Sequence, residues 1–488
     1  MNVGYFNDAQ KEYVITSPLL PKRPWYNFIW NDKFISDIDQ FGFGLSLVRD
    51  KNDELREFTS KGDNRHVFIR DNITGESYSA NRNYNDLPFT VHETHVGMGY
   101  TKIISEYNGL LFEMTMFIPL NSTMECWEVK LTNKTDKKKS LSVYPYAHFF
   151  STITYYIGYV RGDYCDALNG VLVSEEGMNE PTDYIYEFLA SEEKPVAFEA
   201  ADRYFLGTYG NLTNPQGLKN EKLLNRGSCF DFDNGVVLQF DLTLEAGEEK
   251  VYRFGMGAAN SVEDATRHKL LLNEETFKQN LEYQKQQADM YNDKISIFTG
   301  NEEIDRRVNI WLKRQLELGK TWTRLWFRGS RDMMQDISAF VAMDTEDSRE
   351  KIVHSMQYIN PDNHYDHSGV EPYAFTNMFL GPENEYRAGE TVQHWVTGTC
   401  GWLFKGVVEY MLGIQADFDG LAIRPVLPDE WTDVKVHRVF RNATYEIEIK
   451  NLNKNGTVNI SVDGNRISGD VLPDFNDGKV HNVNVEIV

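Results

Sequence analysis

Apolar and polar residues alternate in short runs over about the first 260 residues, a pattern typical of β-strands. The clearest runs are YTKIISEY at 100–107, LLFEMTMFIPL at 110–120, CWEVKLTN at 126–133 and VVLQFDLTLEAG at 236–247. They are rich in β-branched and aromatic residues, and turn-forming Asn, Gly, Asp and Lys separate them. Many strands at this spacing predict a large antiparallel β-sandwich over residues 1–260.

The hydrophobic period changes near residue 262. Residues 261–300 carry few β-branched residues and many helix formers. Ser261 followed by Asp264 predicts a capped helix with an acidic first turn. We therefore expect linker helices over 261–300.

Helical periodicity resumes at 302–320. One face of this helix would carry Ile304, Val308, Trp311, Leu312, Gln315 and Leu316. Further helices are predicted at 330–357 and 399–412, so residues 301–414 are predicted to be a helical domain.

From residue 418 the chain returns to strand patterning. Apolar and polar positions alternate strictly in YEIEIK at 445–450 and TVNISV at 457–462, as in half-buried strands. The pattern predicts a small C-terminal β domain over 415–488.

Charge and composition narrow the function classes. A net charge of −23 argues against nucleic acid or an anionic membrane as the main partner. The first residues lack a basic start with an apolar run, and no stretch approaches the length of a membrane span. The four cysteines form no CxxC pair, so neither a zinc site nor a disulfide framework is expected. We expect a cytoplasmic protein with reduced thiols and no metal or organic cofactor.

One stretch concentrates cations and carboxylates among aromatic side chains. Residues 321–336 read TWTRLWFRGSRDMMQD and contain Arg324, Arg328, Arg331, Asp332 and Asp336 beside Trp322, Trp326 and Phe327. Aromatic faces with bidentate cations and carboxylates suit a pyranose or phosphate ligand. The alternative to such a pocket is a surface helix that carries several ion pairs.

A second stretch places a Thr-Gly-Thr turn between two tryptophans. Residues 391–402 read TVQHWVTGTCGW, with the turn at Thr397 and Gly398. This stretch is interpreted as a second wall of a sugar-phosphate pocket, and the alternative is a helix N-terminus capped by Thr397 with the tryptophans in the core. His364 and His367, with Asp362 and Asp366, match no metal spacing and are interpreted as a polar loop.

Several motifs occur in the order found in one enzyme family. They are GYFNDAQKEYVITSPLLPKRPWYNFIW from residue 4, HVGMGYTKI at 95–103, RGSRDMMQD at 328–336, INPDNH at 359–364, VEPYAF at 370–375, WVTGTCGW at 395–402 and LGIQADFDGLAIRPVLPDEW at 412–431. On these motifs the chain resembles glycoside hydrolase family 94, the cellobiose and chitobiose phosphorylase group. The resemblance covers nearly the whole length.

The resemblance implies an inverting phosphorylase with an (α/α)6 helical barrel. Such an enzyme cleaves a β-glycosidic bond of a disaccharide or oligosaccharide with inorganic phosphate as co-substrate and releases an α-sugar 1-phosphate. An inverting hydrolase needs both an acid and a base, whereas a phosphorylase needs only the acid because phosphate is already an anion. The resemblance also implies a homodimer.

The resemblance assigns residues to two parts of the pocket. The saccharide-binding residues would be Arg331, Asp332, Asp336 and Glu371, the last orienting the active-site loop. The phosphate-binding residues would be one of Arg324 or Arg328, with Thr397 and Gly398 completing the site. No catalytic residue is assigned.

The helical domain departs from the family pattern. A ring of twelve helices of about 11–12 residues each needs well over two hundred residues, and 301–414 has room for about five or six helices. The DWND-like motif that carries the family's general-acid aspartate is absent, and so is its ENGG-Y-x-H stretch. The chain is predicted to pass directly from early to late barrel helices within 338–356.

The sequence therefore leaves two functions open. One is a glycoside phosphorylase-like protein with impaired catalysis. The other is a non-catalytic carbohydrate-binding or assembly protein derived from a phosphorylase. Release of sugar 1-phosphate separates the two.

Overall fold

The structure is a computed structural model that divides into two compact units, Met1–Gln287 and Ala288–Val488. It describes residues 3–16, 24–49, 55–59, 62–150, 159–176, 186–231, 234–287, 291, 293–322, 335, 337–344, 347–348, 350, 376–379, 391–394, 399–427, 431–452 and 457–488.

The first unit, called the sandwich unit below, is mostly strand. Its strands are β1 (Gly4–Asn7), β2 (Glu12–Ile15), β3 (Tyr26–Trp30), β4 (Phe34–Asp39), β5 (Ser46–Arg49), β6 (Leu55–Thr59), β7 (Arg65–Asp71), β8 (Ser77–Ser79), β9 (Val91–Val96), β10 (Tyr100–Tyr107), β11 (Leu110–Phe117), β12 (Met124–Asn133), β13 (Lys139–Phe149), β14 (Tyr159–Cys165), β15 (Gly170–Glu176), β16 (Tyr186–Ser191), β17 (Ala197–Glu199), β18 (Ser228–Asp231), β19 (Asn234–Leu244) and β20 (Glu249–Ala259). Its helices are α1 (Asp202–Phe205), α2 (Val262–Lys269) and α3 (Glu274–Gln287), with 3-10 turns at Gln216–Lys219 and Leu270–Leu272.

Three antiparallel sheets build this unit. The largest has the order β1-β2-β9-β10-β11-β12-β20-β16-β15-β14-β18, the second β17-β19-β13-β7-β8, and the third β3-β4-β5-β6. One apolar core joins all three, with Phe112 and Trp127 from the first sheet, Val67 and Val143 from the second, and Phe34 from the third. The predicted N-terminal antiparallel sandwich is confirmed.

Local sequence explains several of these elements. Between β10 and β11 the turn residues Asn108 and Gly109 both have positive φ, 50° and 66°, as a two-residue hairpin of matching twist requires. Along β11 the side chains are alternately buried and half-buried, because only one face of the strand meets the core.

Helices α2 and α3 cover the other face of the largest sheet. Ala265 of α2 and Phe277 of α3 pack with Phe117 and Cys126 of that sheet. The Ser261 hydroxyl accepts a hydrogen bond from the Asp264 amide at 3.1 Å, so the cap predicted from sequence is confirmed.

In its described residues the second unit combines helices with three sheets. Its strands are β21 (Ile295–Phe298), β22 (Thr376–Phe379), β23 (Thr391–His394), β24 (Ile414–Asp417), β25 (Gly420–Ile423), β26 (Asp433–Phe440), β27 (Ala443–Asn451), β28 (Val458–Val462), β29 (Asn465–Arg466), β30 (Val471–Pro473) and β31 (Val480–Ile487). Its helices are α4 (Glu302–Arg306), a π-helical segment Arg307–Leu312, α5 (Lys313–Trp322), α6 (Thr399–Lys405) and a second π-helical segment Gly406–Met411.

The C-terminal strands form a six-stranded sheet, β21-β26-β27-β31-β28-β29, and a three-stranded sheet, β24-β25-β30. Strand β21 falls within the range predicted for linker helices, and it pairs with β26 because its Ile-Ser-Ile pattern buries Ile295 and Ile297. In the helix that begins at Glu302, Val308 and Leu316 are buried in the same core as Ile447.

His481 on β31 lies between two carboxylates. Its Nδ1 is 2.7 Å from Asp463 Oδ2, its Nε2 is 3.1 Å from Asp477 Oδ1, and its ring stacks on Phe475. Burial lowers the pKa of His481, but the hydrogen bonds to the two aspartates outweigh that and raise it above its usual value.

Stability of the second unit should therefore depend on pH. A histidine with a raised folded-state pKa contributes stability that is fully present below its unfolded pKa of about 6.5 and is lost as pH rises through the folded value. We expect the free energy of unfolding to fall as pH rises above 6.5, and His481→Gln to remove part of that fall. Urea unfolding at pH 6 and pH 8 measures it. Asp463→Asn should give an intermediate slope, and equal slopes in all three proteins would contradict the assignment.

Candidate functional site

All eight site residues predicted from sequence lie outside the described residues. They are Arg324, Arg328, Arg331, Asp332, Asp336, Glu371, Thr397 and Gly398. The described elements nevertheless fix where their segments attach. Helix α5 ends at Trp322, just before Arg324, and helix α6 begins at Thr399, just after Gly398.

The two helices that adjoin the predicted pocket segments share one core. Leu316 of α5 packs with Phe404 of α6 and with Val407 and Val408 of the following π-helical segment. The Arg-rich segment and the Thr-Gly-Thr turn are thus attached to neighbouring helices of one unit.

A two-stranded hairpin lies between Glu371 and Thr397 in the chain. Strands β22 and β23 pair antiparallel, with Thr376 opposite His394 and Phe379 opposite Thr391.

Helix α5 carries an ion-pair cluster near its C-terminal end, in which the Lys320 side chain is buried. The Lys320 ammonium lies 3.1 Å from Glu317 Oε2 and 2.6 Å from Asp347 Oδ2, and it sits 3.6 Å from the centroid of the Phe340 ring. Tyr291 donates a hydrogen bond to Glu317 at 2.8 Å. Burial, together with Glu317, raises the pKa of Tyr291 well above its usual range.

Two more cations lie on the same helix, Lys313 buried and Arg314 half-buried. The Lys313 ammonium donates to the carbonyls of Ile295 at 2.5 Å and Tyr291 at 3.3 Å. Burial lowers the pKa of Arg314 to about 9, only partly opposed by Glu317. Lys313 and Lys320 are bound to protein groups, so they anchor the helix rather than offer an open anion site.

Lys320→Met should destabilise the second unit. The substitution removes charge-assisted hydrogen bonds to Glu317 and Asp347, each worth about 1.5–3 kcal/mol when shielded from water. Because both carboxylates are partly exposed, at 27% and 31%, we expect a total loss near the lower figure. Urea unfolding measures it. Lys405→Met on α6, whose pair with Glu409 is 3.7 Å long and partly exposed, should cost less than about 1 kcal/mol, and an equal loss in both variants would contradict the account.

A polar cavity in the sandwich unit was not predicted from sequence. It has a volume of about 320 Å³ and lies between β8, residues 82–87 and residues 212–218. Arg82 and Tyr84 line it, both half-buried and both bonded to Asp63. The only sequence signal was the mixture of amide and aromatic residues in NRNYND at 81–86.

Two buried titratable groups interact with the lining residues Arg82 and Tyr84. Burial raises the pKa of Asp39 to about 7, against hydrogen bonds from the Phe43 and Phe41 amides. Burial lowers the pKa of His66 to about 3, so the imidazole is neutral at physiological pH.

The described residues contain neither a membrane-spanning helix nor a group of side chains suited to a metal ion. None of the helices in the described ranges is both long and apolar enough to cross a bilayer. Within the same ranges no three His, Cys, Asp or Glu side chains are grouped so that they could hold a metal ion.

Two family models match the chain. Residues 11–269 match the model described as glycosyl hydrolase 94, supersandwich domain. Residues 354–413 match the model described as glycosyl hydrolase 94 superfamily, catalytic domain. The first match alone covers more than half of the chain.

Several curated relatives of this chain are phosphorylases. Solabiose phosphorylase of Paenibacillus borealis is 22% identical over 775 aligned positions that cover 99% of this chain and 100% of the relative. N,N'-diacetylchitobiose phosphorylase of Vibrio furnissii is 25% identical over 66% of this chain and 42% of the relative. Because this chain has only 488 residues, at least 287 of the 775 alignment positions (775 minus 488) are gaps in this chain. In the second alignment it spans less than half of the relative's length.

Among solved structures, a family GH92 alpha-mannosidase from Bacteroides thetaiotaomicron aligns with a TM-score of 0.45 and 8% identity. The alignment covers 98% of this chain and 91% of that one. The family assignment rests on the sequence matches.

Proposed function

This chain belongs to the glycosyl hydrolase 94 family, and from that premise we propose that it is a glycoside phosphorylase-like protein with impaired catalysis. Its reaction would be inverting phosphorolysis of a β-linked disaccharide or oligosaccharide to an α-sugar 1-phosphate. The observation that carries the proposal is the alignment with solabiose phosphorylase, which spans that enzyme from end to end yet leaves at least 287 positions empty, 775 minus 488.

The empty positions are proposed to belong to the helical catalytic domain. The supersandwich model matches residues 11–269, whereas the catalytic model matches only 354–413. On this proposal residues 301–414 are a truncated (α/α)6-type domain that keeps its first and last helices. The C-terminal strands complete the family's domain order.

The proposed pocket keeps its ligand-binding residues and lacks its acid. Arg331, Asp332, Asp336 and Glu371 would hold the saccharide, and Arg324, Arg328, Thr397 and Gly398 would hold phosphate. Phosphate brings its own negative charge to the reaction, so arginine and backbone amides suffice to position it. Without a placed acid, however, the leaving oxygen must depart unprotonated.

A non-catalytic carbohydrate-binding role is the second candidate. The absence of any DWND-like or ENGG-Y-x-H sequence favours it, because those motifs carry the family's acid and a phosphate-binding histidine.

The homodimer and the cytoplasmic location stay predictions. Light scattering at micromolar concentration tests the homodimer.

Calorimetric titration of the full chain tests the proposed pocket. We expect inorganic phosphate to bind, and Arg328→Ala to weaken that binding about tenfold to a hundredfold, since a shielded contact to a charged group is worth about 1.5–3 kcal/mol. Arg161→Ala is the matched control, because Arg161 is an exposed arginine of the sandwich unit. Equal phosphate affinity in both variants would reject the assignment of Arg328.

A further inference from the structure

The polar cavity of the sandwich unit is built from three separate parts of the chain. Its floor includes Phe68 of β7 with Ser77 and Ser79 of the edge strand β8. One wall is residues 82–87 and the other is residues 212–218. A volume of about 320 Å³ is at the lower end of ligand-sized pockets, enough for one sugar ring.

The two walls are braced independently of any ligand. The Asn83 side chain donates to the Leu87 carbonyl at 2.6 Å and accepts from the Leu87 amide at 2.9 Å. The Asn211 side chain accepts from both the amide and the hydroxyl of Thr213, at 3.0 and 2.6 Å. Asn85 reaches across to the Thr213 carbonyl at 3.4 Å. The cavity is thus preformed, which lowers the entropic cost of binding.

Arg82 is held in place while part of its guanidinium is left available. Its Nη1 is 3.0 Å from Asp63 Oδ1, and its guanidinium carbon lies 5.0 Å from the Phe41 ring centroid and 4.7 Å from that of Tyr84. Among the described residues, Nε and Nη2 of Arg82 have no hydrogen-bond partner. The side chain is 29% exposed, so these donors can reach a ligand.

The charge of this arrangement favours a neutral ligand. Asp63 lies directly against Arg82 and also accepts from the Tyr84 hydroxyl at 2.5 Å, so the local cation is already compensated. The net charge of −23 further opposes a bound anion. The remaining groups are hydroxyls and amides, Ser77 and Asn214 among them, beside the apolar side chains of Leu87, Leu212 and Pro215.

We propose that this cavity is a carbohydrate-binding site for one ring of a neutral oligosaccharide. A pyranose has apolar C–H faces and a rim of hydroxyls, and this cavity offers apolar walls, amides and a fixed Arg–Asp pair. The site lies wholly within the sandwich unit. None of its lining residues is among those assigned to the proposed phosphorylase pocket.

Hydrogen–deuterium exchange of the full chain tests the proposal, with cellobiose as the probe. We expect cellobiose to slow amide exchange at least threefold in segments 77–87 and 211–218, and inorganic phosphate to leave both unchanged. Arg82→Met should weaken the cellobiose effect at least tenfold. Arg267→Met, which changes an exposed arginine of α2 paired with Asp264, is the matched control and should leave it intact.

Arg82→Met leaves Asp63 without its cation and so also affects folding. A second variant separates loss of binding from loss of the fold. Asn214 is exposed on the rim, and Asn214→Ala should weaken the cellobiose effect at least threefold. Arg328→Ala should not change it, so failure of this site and failure of the phosphorylase pocket are distinguishable. Absence of protection with cellobiose, equal protection with phosphate, or normal protection in both Arg82→Met and Asn214→Ala would overturn the proposal.

Discussion

Glu125→Gln is expected to lower the free energy of unfolding of the sandwich unit by about 3–5 kcal/mol, because it leaves a buried arginine without its counter-ion. Arg65 of β7 and Glu125 of β12 are both fully buried and form a bidentate pair. Arg65 Nε lies 2.9 Å from Glu125 Oε1, and Nη2 lies 3.1 Å from Oε2. Urea unfolding followed by amide exchange in β7 and β12 measures the loss.

The pair is the centre of a network that joins all three sheets of the sandwich. Glu125 also accepts from Ser36 of β4 at 2.8 Å and from the Trp127 indole at 2.6 Å. Arg65 donates to Ser46 of β5 and to the Gly44 carbonyl. Loss of the Glu125 charge therefore weakens hydrogen bonds to residues of all three sheets.

Close approach at Gly44 fixes one end of this network. A side-chain carbon there would lie 1.5 Å from the Asp37 carbonyl oxygen, so the position requires glycine. The Arg65 guanidinium reaches the Gly44 carbonyl at 2.9 Å.

The control is an exposed pair of the same kinds of groups. Arg161 and Asp163 lie 2.7 Å apart with both side chains 56% exposed, and Asp163→Asn should cost less than about 1 kcal/mol. The double variant Arg65→Met with Glu125→Leu should recover part of the loss, since it removes both charges. A loss below about 1 kcal/mol in Glu125→Gln would contradict the network's proposed role.

Local patterning was sufficient to predict much of the strand content. Strand β10 occupies 100–107, the range predicted from alternation and β-branched residues. Strands β27 and β28 fall on the YEIEIK and TVNISV repeats. These signals are local, because one buried face of a strand imposes a period of two on the sequence.

Sheet order and buried charge were not predictable in the same way. Strand β12 pairs with β20, more than a hundred residues later in the chain, and no local pattern identifies a pairing partner. Glu125 and Arg65 look like exposed positions because charged residues are rarely buried unless paired. Only the folded arrangement shows that they pair.

Of the two candidate sites, the sequence pointed to one and not to the other. The predicted pocket was found through motifs, and its residues lie outside the described ranges, so their convergence stays a prediction. The sandwich cavity has no motif, because its walls at 82–87 and 212–218 are distant in sequence and meet only in the fold.

The isolated chain is expected to catalyse phosphorolysis about 10⁴–10⁶-fold more slowly than a full-length relative. A placed acid contributes about 10²–10⁴ in rate, and this sequence has no counterpart of the family's acid motif. On the proposed truncation, phosphate would also be positioned less well without the family's histidine and the absent helices, at a cost of about a further hundredfold. The two losses multiply because they act on different parts of the same step. The rate of α-sugar 1-phosphate formation measures the combined effect.

The most direct test of impaired phosphorolysis is a side-by-side initial-rate measurement. The full chain and solabiose phosphorylase of Paenibacillus borealis would each be given phosphate with solabiose, N,N'-diacetylchitobiose, cellobiose or laminaribiose, and α-sugar 1-phosphate would be quantified. We predict that this chain forms product about 10⁴–10⁶-fold more slowly than solabiose phosphorylase does on solabiose, or not above a phosphate-free control, with all four sugars. A rate within about a hundredfold of the relative's on any of them would contradict the account, because another carboxylate would then be serving as the acid.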